Sequence, residues 1–294
     1  MWYRFKVTSF ILILGTTHGA FRSRRSVNPE ANMNISQIIS YWGYPGEVHD
    51  VVTDDGYILG LYRIPYGKAN NDNSAFITFS TIPKIAEKVK VFFALAPVFS
   101  IKYSNSPLIK MAYKWKSVIK AFVGNKAFLP NTSFKRFVGA KLCPLKIFGK
   151  ICREVLFLMY GCDLENLNMS RVDVYMSHNP AGTSVQNMLH WSQLFNSSRL
   201  RAFDWGSPVL NWMHFNQTTS PFYNVTCMNV STSTWNGARD VLADPQDINN
   251  LLSEITNHIY HKTISSYNHI DFLFGLDVYH QVYREIIDII QGTL

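Results

Sequence analysis

Two side chains near the C-terminus have the types and the spacing to move a proton. Asp240 follows a predicted strand over Val230 to Trp235, in Gly237-Ala238-Arg239-Asp240. His269 follows a second predicted strand over His258 to Ile264, in Tyr267-Asn268-His269. A carboxylate that accepts Nδ1–H of an imidazole fixes its tautomer and stabilises the imidazolium during proton transfer. Such a pair performs acyl transfer only when a nucleophile is held in line with it. The chain contains no Gly-x-Ser-x-Gly turn. Ser184, in Gly182-Thr183-Ser184, and Ser207, in Gly206-Ser207-Pro208, lack the strand-to-helix elbow that would expose the oxygen. Of the nine histidines, His178, His190, His214, His258, His261 and His280 have no comparable carboxylate placed after a strand and read as structural.

The elements around the pair are the most legible part of the chain. Asp244-Pro245-Gln246-Asp247 opens a helix, with Asp244 as N-cap, Pro245 at the first helical position and Asp247 where the helix dipole favours negative charge. That helix runs to about Ile255, and Val278 to Ile290 carries the amphipathic pattern of a final helix. Strand, helix, strand in this order is a βαβ crossover, whose parallel strands deliver their C-terminal loops to one edge. Asp240 and His269 therefore meet there.

Upstream, Glu47 to Thr53 and Tyr57 to Ile64 flank Asp54-Asp55-Gly56 as a β-hairpin, preceded by an amphipathic segment over Asn34 to Tyr44. Gly67 to Ser74 is a polar linker. Helical periodicity over Ala75 to Lys90 is interrupted by Pro83, and the apolar run Val91 to Ala96 suits a strand covered on both faces of a parallel sheet. From about Ser100 to Leu200 the pattern is helical, without clear strand alternation, and reads as a cap over the sheet. The resulting division is a leader over 1–20, a hairpin and partial core over 34–99, a cap or lid over 100–200, and the rest of the core over 201–294. The fold class is α/β.

Arg4 and Lys6, the apolar run Val7 to Gly15 and the small residues Gly19-Ala20 have the form of a secretory signal. No stretch reaches the ~18 apolar residues of a transmembrane helix. Asn34, Asn131, Asn168, Asn196, Asn216, Asn224 and Asn229 each begin an Asn-x-Ser/Thr sequon, consistent with export and glycosylation. Cys143 and Cys152 are spaced to close a short loop in an oxidising compartment, while Cys162 and Cys227 read as free buried thiols. No CxxC pair points to zinc, and no cofactor is expected. The net charge of +8 concentrates in Lys110 to Arg153. No nucleic-acid motif accompanies it, so a solvated helix face or attraction to an anionic lipid surface accounts for it.

Several stretches together resemble the mammalian acid lipases: Gly43 to Gly67 (GYPGEVHDVVTDDGYILGLYRIPYG), Met169 to Trp191, Phe203 to Gly206 (FDWG), Ala243 to Asp247 (ADPQD) and Tyr267 to Asp277 (YNHIDFLFGLD). The resemblance implies an α/β-hydrolase core with a helical cap, acting on neutral lipid esters. It also implies that Asp240 and His269 are the charge-relay pair and that Cys143 bonds Cys152 in the cap.

The departure from that family is equally specific. The family carries a strand ending in His-Gly and later a Gly-His-Ser-x-Gly elbow, and this chain has neither. It passes from Asn73-Ser74 directly into Ala75 to Ser80, which resembles the helix downstream of the elbow. By comparison about a hundred residues, with the nucleophile turn among them, are missing at one seam. Central strands are lost with it, so the strand over Val91 to Ala96 is expected to carry an open edge, which favours aggregation. The expected function is an ester hydrolase by descent that lacks its nucleophile, or else a non-catalytic lipid-binding glycoprotein.

Overall fold

The computed structural model describes residues 28–43, 47–52, 58–63, 73–115, 118, 127–128, 132–161, 165–179, 182–195 and 197–292. The expected leader, Cys162, Asn131 and Asn196 lie outside these residues.

Asn34 caps helix α1 (Ile35–Tyr41) through a capping box with Gln37, their side chains and backbone amides pairing reciprocally at 2.8 Å. Strands β1 (Glu47–Val52) and β2 (Ile58–Arg63) form the expected antiparallel hairpin, in register from Glu47 opposite Arg63 to Val52 opposite Ile58. Helices α2 (Asn73–Thr81) and α3 (Pro83–Ala86) are separated at Ile82, because Pro83 cannot continue the first helix but fits the first turn of the second.

A three-stranded parallel sheet follows. Its order is β3 (Val91–Leu95), β6 (Ser231–Gly237), β7 (His258–Ile264). The connection from β6 to β7 is helix α10 (Pro245–Glu254), started as expected by Asp244, whose carboxylate accepts the Gln246 amide at 2.9 Å. Strand β6 is central and buried, yet it reads Ser-Thr-Ser-Thr-Trp. Two of its threonines satisfy their hydroxyls locally: Thr232 donates to Val230 O, and Thr234 pairs with His258 and His261 on β7 at 2.8 Å each. Among the described residues β3 pairs with β6 alone.

Between β3 and β6 lie α4 (Pro107–Lys114), β4 (Ala127–Phe128), α5 (Ser133–Phe137), α6 (Lys146–Tyr160), α7 (Val172–His178), β5 (Thr183–Ser184), α8 (Val185–Leu194) and α9 (Pro208–Phe215). This stretch is helical as expected, with one antiparallel pair of two-residue strands, β4 and β5, as the exception. The chain closes with α11 (Asp271–Phe274), a π-turn over Tyr279–Tyr283 and α12 (Arg284–Gln291).

The apolar residues on the two sides of the sheet form separate clusters. Phe76, Phe92, Phe99 and Leu251 gather on one side, with Phe76 edge-on to Phe92 at 5.2 Å between ring centres. Leu95, Trp235, Tyr267, Phe272 and Val282 gather on the other. A third cluster joins Cys143, Cys152, Leu156 and Tyr175 of the helical insertion to Ile270, the residue after His269. Cys143 and Cys152 are disulfide-bonded. Cys227 corrects an expectation: it is a free thiol but an exposed one, at the end of a short 3-10 turn that directs it outward. No helix among the described residues is long and apolar enough to cross a membrane.

Candidate active site

The loops at the C-terminal ends of β6 and β7 are joined to each other by backbone hydrogen bonds. Ala238 N donates to Ile264 O at 3.0 Å, and Arg239 N donates to Tyr267 O at 3.1 Å. This approach requires glycine at 237, where an added Cβ would stand 2.1 Å from Tyr267 O. Past the junction Asp240 turns its side chain fully inward. Its Oδ1 accepts the amides of Leu242 at 2.8 Å and Ala243 at 2.9 Å, which leaves Oδ2 for His269 Nδ1 at 2.9 Å. The carboxylate is held by three donors, so its own orientation is fixed and it fixes the imidazole in turn. The His269 side chain keeps 19% of its surface exposed against none for Asp240, so the ring can exchange a proton on its outer side.

Other elements hold these two loops in place. The C-terminus of α6 ends on Gly161, whose φ of 63° favours glycine and whose added Cβ would lie 3.0 Å from Val241 and 3.3 Å from Asn268 Oδ1. Tyr160, one residue earlier, lies parallel to the His269 ring at 6.4 Å between centres. The segment after β3 grips the Asp240 loop from a third direction. Ser104 Oγ donates to Val241 O at 2.7 Å, and the Asn105 and Ser106 amides reach the same oxygen at 3.1 and 3.0 Å. That segment is itself tied to α10, because Asp247 Oδ1 meets Ser100 Oγ at 2.6 Å and Asp247 Oδ2 accepts the Tyr103 amide at 3.0 Å. Burial pushes the Asp247 carboxyl above its ordinary range, against the pull of those two hydrogen bonds. Burial and the Asp277 carboxylate raise the Tyr267 phenol, so that hydroxyl stays neutral and donates to Asp277 at 2.6 Å.

The two residues chosen from the sequence are thus brought into direct contact. The Leu242 and Ala243 amides and the Tyr160 ring were not singled out. A turn two residues long after a buried aspartate carries a signal for the amides, whereas nothing local marks Tyr160. Ser184 differs in part from expectation, for it does stand where a strand, β5, enters a helix, α8. That strand is two residues long, the Ser184 φ is an ordinary −75°, and its hydroxyl accepts the Asn187 amide at 3.0 Å as a helix cap. Ser207 caps α9 in the same way, accepting the Leu210 amide at 3.2 Å.

The remaining histidines have settled partners. His178 Nε2 meets Glu30 O at 2.8 Å, His190 Nε2 meets Arg201 O at 2.7 Å, and His214 stacks on Trp205. Burial lowers the pKa of His258 and His261, and the nearness of His258 lowers His261 further, which favours neutral rings around Thr234. Among the described residues no group of three or more His, Cys, Asp or Glu could hold a metal ion.

A family model described as a partial alpha/beta-hydrolase lipase region matches residues 35–92. The chain is 52% identical to lipase member J of Homo sapiens over 366 residues, covering 89% of this chain and 100% of the relative. It is 36% identical to gastric triacylglycerol lipase of Homo sapiens over 393 residues, covering 99% of each. It is 35% identical to lysosomal acid lipase/cholesteryl ester hydrolase of Macaca fascicularis over 385 residues, covering 95% of this chain and 96% of the relative. Each alignment is longer than the 294 residues of this chain, so these relatives carry residues with no counterpart in it. A solved alpha/beta hydrolase fold protein from Nakamurella multipartita covers 72% of this chain and 63% of its own at 12% identity with a TM-score of 0.33, too low to bear on the fold.

Proposed function

The chain belongs to the mammalian acid lipase family, an ester-hydrolase lineage of α/β-hydrolase fold, and we propose that it retains the base and carboxylate of a Ser-His-Asp lipase while lacking the serine they serve. His269 is the general base and Asp240 its orienting partner, by geometry and by position. The observation that carries the reading is the 2.9 Å contact between them in a sequence without any Gly-x-Ser-x-Gly turn. In a Ser-His-Asp enzyme the base takes a proton from the serine and later delivers it to the leaving group. Here the hydroxyls of Ser184 and Ser207 are occupied as helix caps, and the backbone donors that would stabilise an oxyanion belong to the missing elbow segment. Each such donor is worth on the order of 3 kcal/mol of transition-state stabilisation.

Neutral lipid esters are the substrate class of the ancestral activity, since the relatives bear the names triacylglycerol lipase and cholesteryl ester hydrolase. Residues 100–200 serve as the cap, and the chain is read as a product of the secretory pathway, secreted or lysosomal. The Cys143–Cys152 disulfide suits that compartment. Asn34, Asn216, Asn224 and Asn229 stand exposed and Asn168 half-buried, as candidates for glycosylation.

A second reading, a non-catalytic lipid-binding glycoprotein, is favoured by the apolar side chains the helical insertion leaves in solvent: Phe134, Phe137, Ile151, Phe157 and Leu158 are each half exposed or more, among lysines and arginines. The two readings separate in one assay. The chain is treated with an active-site-directed phosphonate and a short-chain ester, with His269→Ala as control. No covalent adduct, and no turnover above that control, is the expected result. An adduct mapped to any side chain, or turnover lost on His269→Ala, overturns the absence of a nucleophile.

A further inference from the structure

Surface helices ordinarily turn their apolar face inward. Helix α9, Pro-Val-Leu-Asn-Trp-Met-His-Phe, does the reverse. Asn211 is its buried residue, at 3% exposure, and every hydrogen-bonding atom of its side chain amide is engaged. Asn211 Oδ1 accepts the Trp205 amide at 3.0 Å, while Nδ2 donates to Asp204 Oδ1 at 3.1 Å and to Thr218 O at 3.3 Å. Val209, Leu210, Trp212 and Met213 point to solvent, Trp212 at 56% and Met213 at 74% exposure.

The inversion is locked rather than incidental. Ser207 caps the start, Asn216 ends the helix in the left-handed region at φ 55°, and His214 stacks flat on Trp205 at 3.8 Å. Rolling the helix to hide its apolar side chains would strip Asn211 of its partners, and each buried polar group left unpaired costs about 1–3 kcal/mol. Cations stand at the rim. The guanidinium groups of Arg199 and Arg201 lie 5.0 and 5.5 Å from the centre of the exposed Phe222 ring. Arg201 also reaches Asp204 at 3.6 Å, which links this rim to the Asn211 anchor. Helix α9 itself carries no acidic residue.

We propose that α9, with Phe222 and its two arginines, is a docking face for an anionic phospholipid surface. Trp212 and Met213 enter the boundary between headgroups and acyl chains, and Arg199 and Arg201 meet the phosphates. Tryptophan favours that boundary because its ring is amphipathic, and an apolar helix face joined to cations gains from both burial and charge. The proposal rests on the lipid-directed reading of this family and names the surface that would carry it, apart from Asp240 and His269.

The test is flotation of the full chain with vesicles of phosphatidylcholine alone and of phosphatidylcholine with phosphatidylserine. Variants are Trp212→Asp with Met213→Asp, and separately Arg199→Gln. These side chains are exposed and lie outside the core, and matched circular dichroism spectra confirm that the fold is kept. Expected are stronger binding to the anionic vesicles, about tenfold or greater loss in the double variant, and a narrowed preference for anionic lipid in Arg199→Gln. Acyl chains brominated near the headgroup should quench tryptophan fluorescence in the wild type and less in the double variant. Equal binding by the double variant, or a second copy of the chain found on this face by sedimentation, overturns the proposal. Ester turnover is read separately. Turnover lost on His269→Ala beside normal vesicle binding would sink the missing-nucleophile reading and leave this proposal standing. Absent turnover with unchanged binding by the double variant would do the opposite.

Discussion

Asp240 has two tasks that a single substitution can separate. Its Oδ1 closes the turn through Leu242 and Ala243, and its Oδ2 faces His269 Nδ1. In Asp240→Asn the retained oxygen still accepts both amides, while the new amide group donates toward His269 and turns its Nδ1 into an acceptor. The tautomer therefore changes from Nδ1–H to Nε2–H, which the ¹⁵N shifts of a His-labelled sample report. Unchanged shifts would mean that this carboxylate does not set the tautomer. Asp247 supplies a pH dependence. Its folded carboxyl is raised above the unfolded value by burial, so its contribution to stability is fully present below the unfolded pKa and is lost as pH rises through the folded one. Melting temperature should fall across that window. Asp247→Asn should flatten the fall, since an amide can donate to Ser100 Oγ and accept the Tyr103 amide in the same places. An undiminished slope in the variant would assign the pH dependence elsewhere.

At the scale of elements, the pair depends on how closely two loops approach. Gly237 brings the Asp240 turn against Tyr267, and an added methyl group would meet backbone rather than a yielding side chain. Gly237→Ala should lower stability by about 1–3 kcal/mol or more, read by urea denaturation, because the loops must separate to admit it. A smaller loss, with the His269 shifts unmoved, would show that the loops adjust without cost. Gly161 performs the same service from α6, where the positive φ adds to the steric limit. Much of this scaffold was legible from short sequence patterns. Asp244-Pro245 marked the start of α10, Pro83 divided α2 from α3, and the alternation around Asp54-Asp55-Gly56 gave the hairpin of β1 and β2. The side chain that lies over His269 was not legible, because Tyr160 belongs to a helix remote in sequence and its own neighbourhood reads only as amphipathic.

For the whole molecule the seam near Ser74 matters most. The relatives align over more residues than this chain possesses, and β3 has a strand partner on one side only among the described residues. An unpaired strand edge beside apolar surface is a site for association. The chain should therefore bind the dye ANS and melt over a broad range. Insertion of a family segment bearing Gly-His-Ser-x-Gly between Ser74 and Ala75 should sharpen the melt and suppress the dye signal. A cooperative transition in the unmodified chain, with no dye binding, would show that the three-stranded sheet is sufficient.

The sequence by itself determined what acts over a few residues: the caps and ends of helices, the alternating strands, the order of Asp240 before His269 across one crossover, and the absence of an elbow serine. Propensity, capping and steric exclusion operate within a turn or two of the chain, so their marks are local and can be read directly. Only the tertiary structure decided which face of α9 is hidden, that Cys227 is exposed, that His258 and His261 share the Thr234 hydroxyl, and that Asp247 is buried against Ser100, 147 residues away. Those outcomes are set by which polar group finds a partner once distant segments pack. The buried amide of Asn211 outweighed the apolar residues beside it because an unpaired polar group inside costs more than an exposed methyl group.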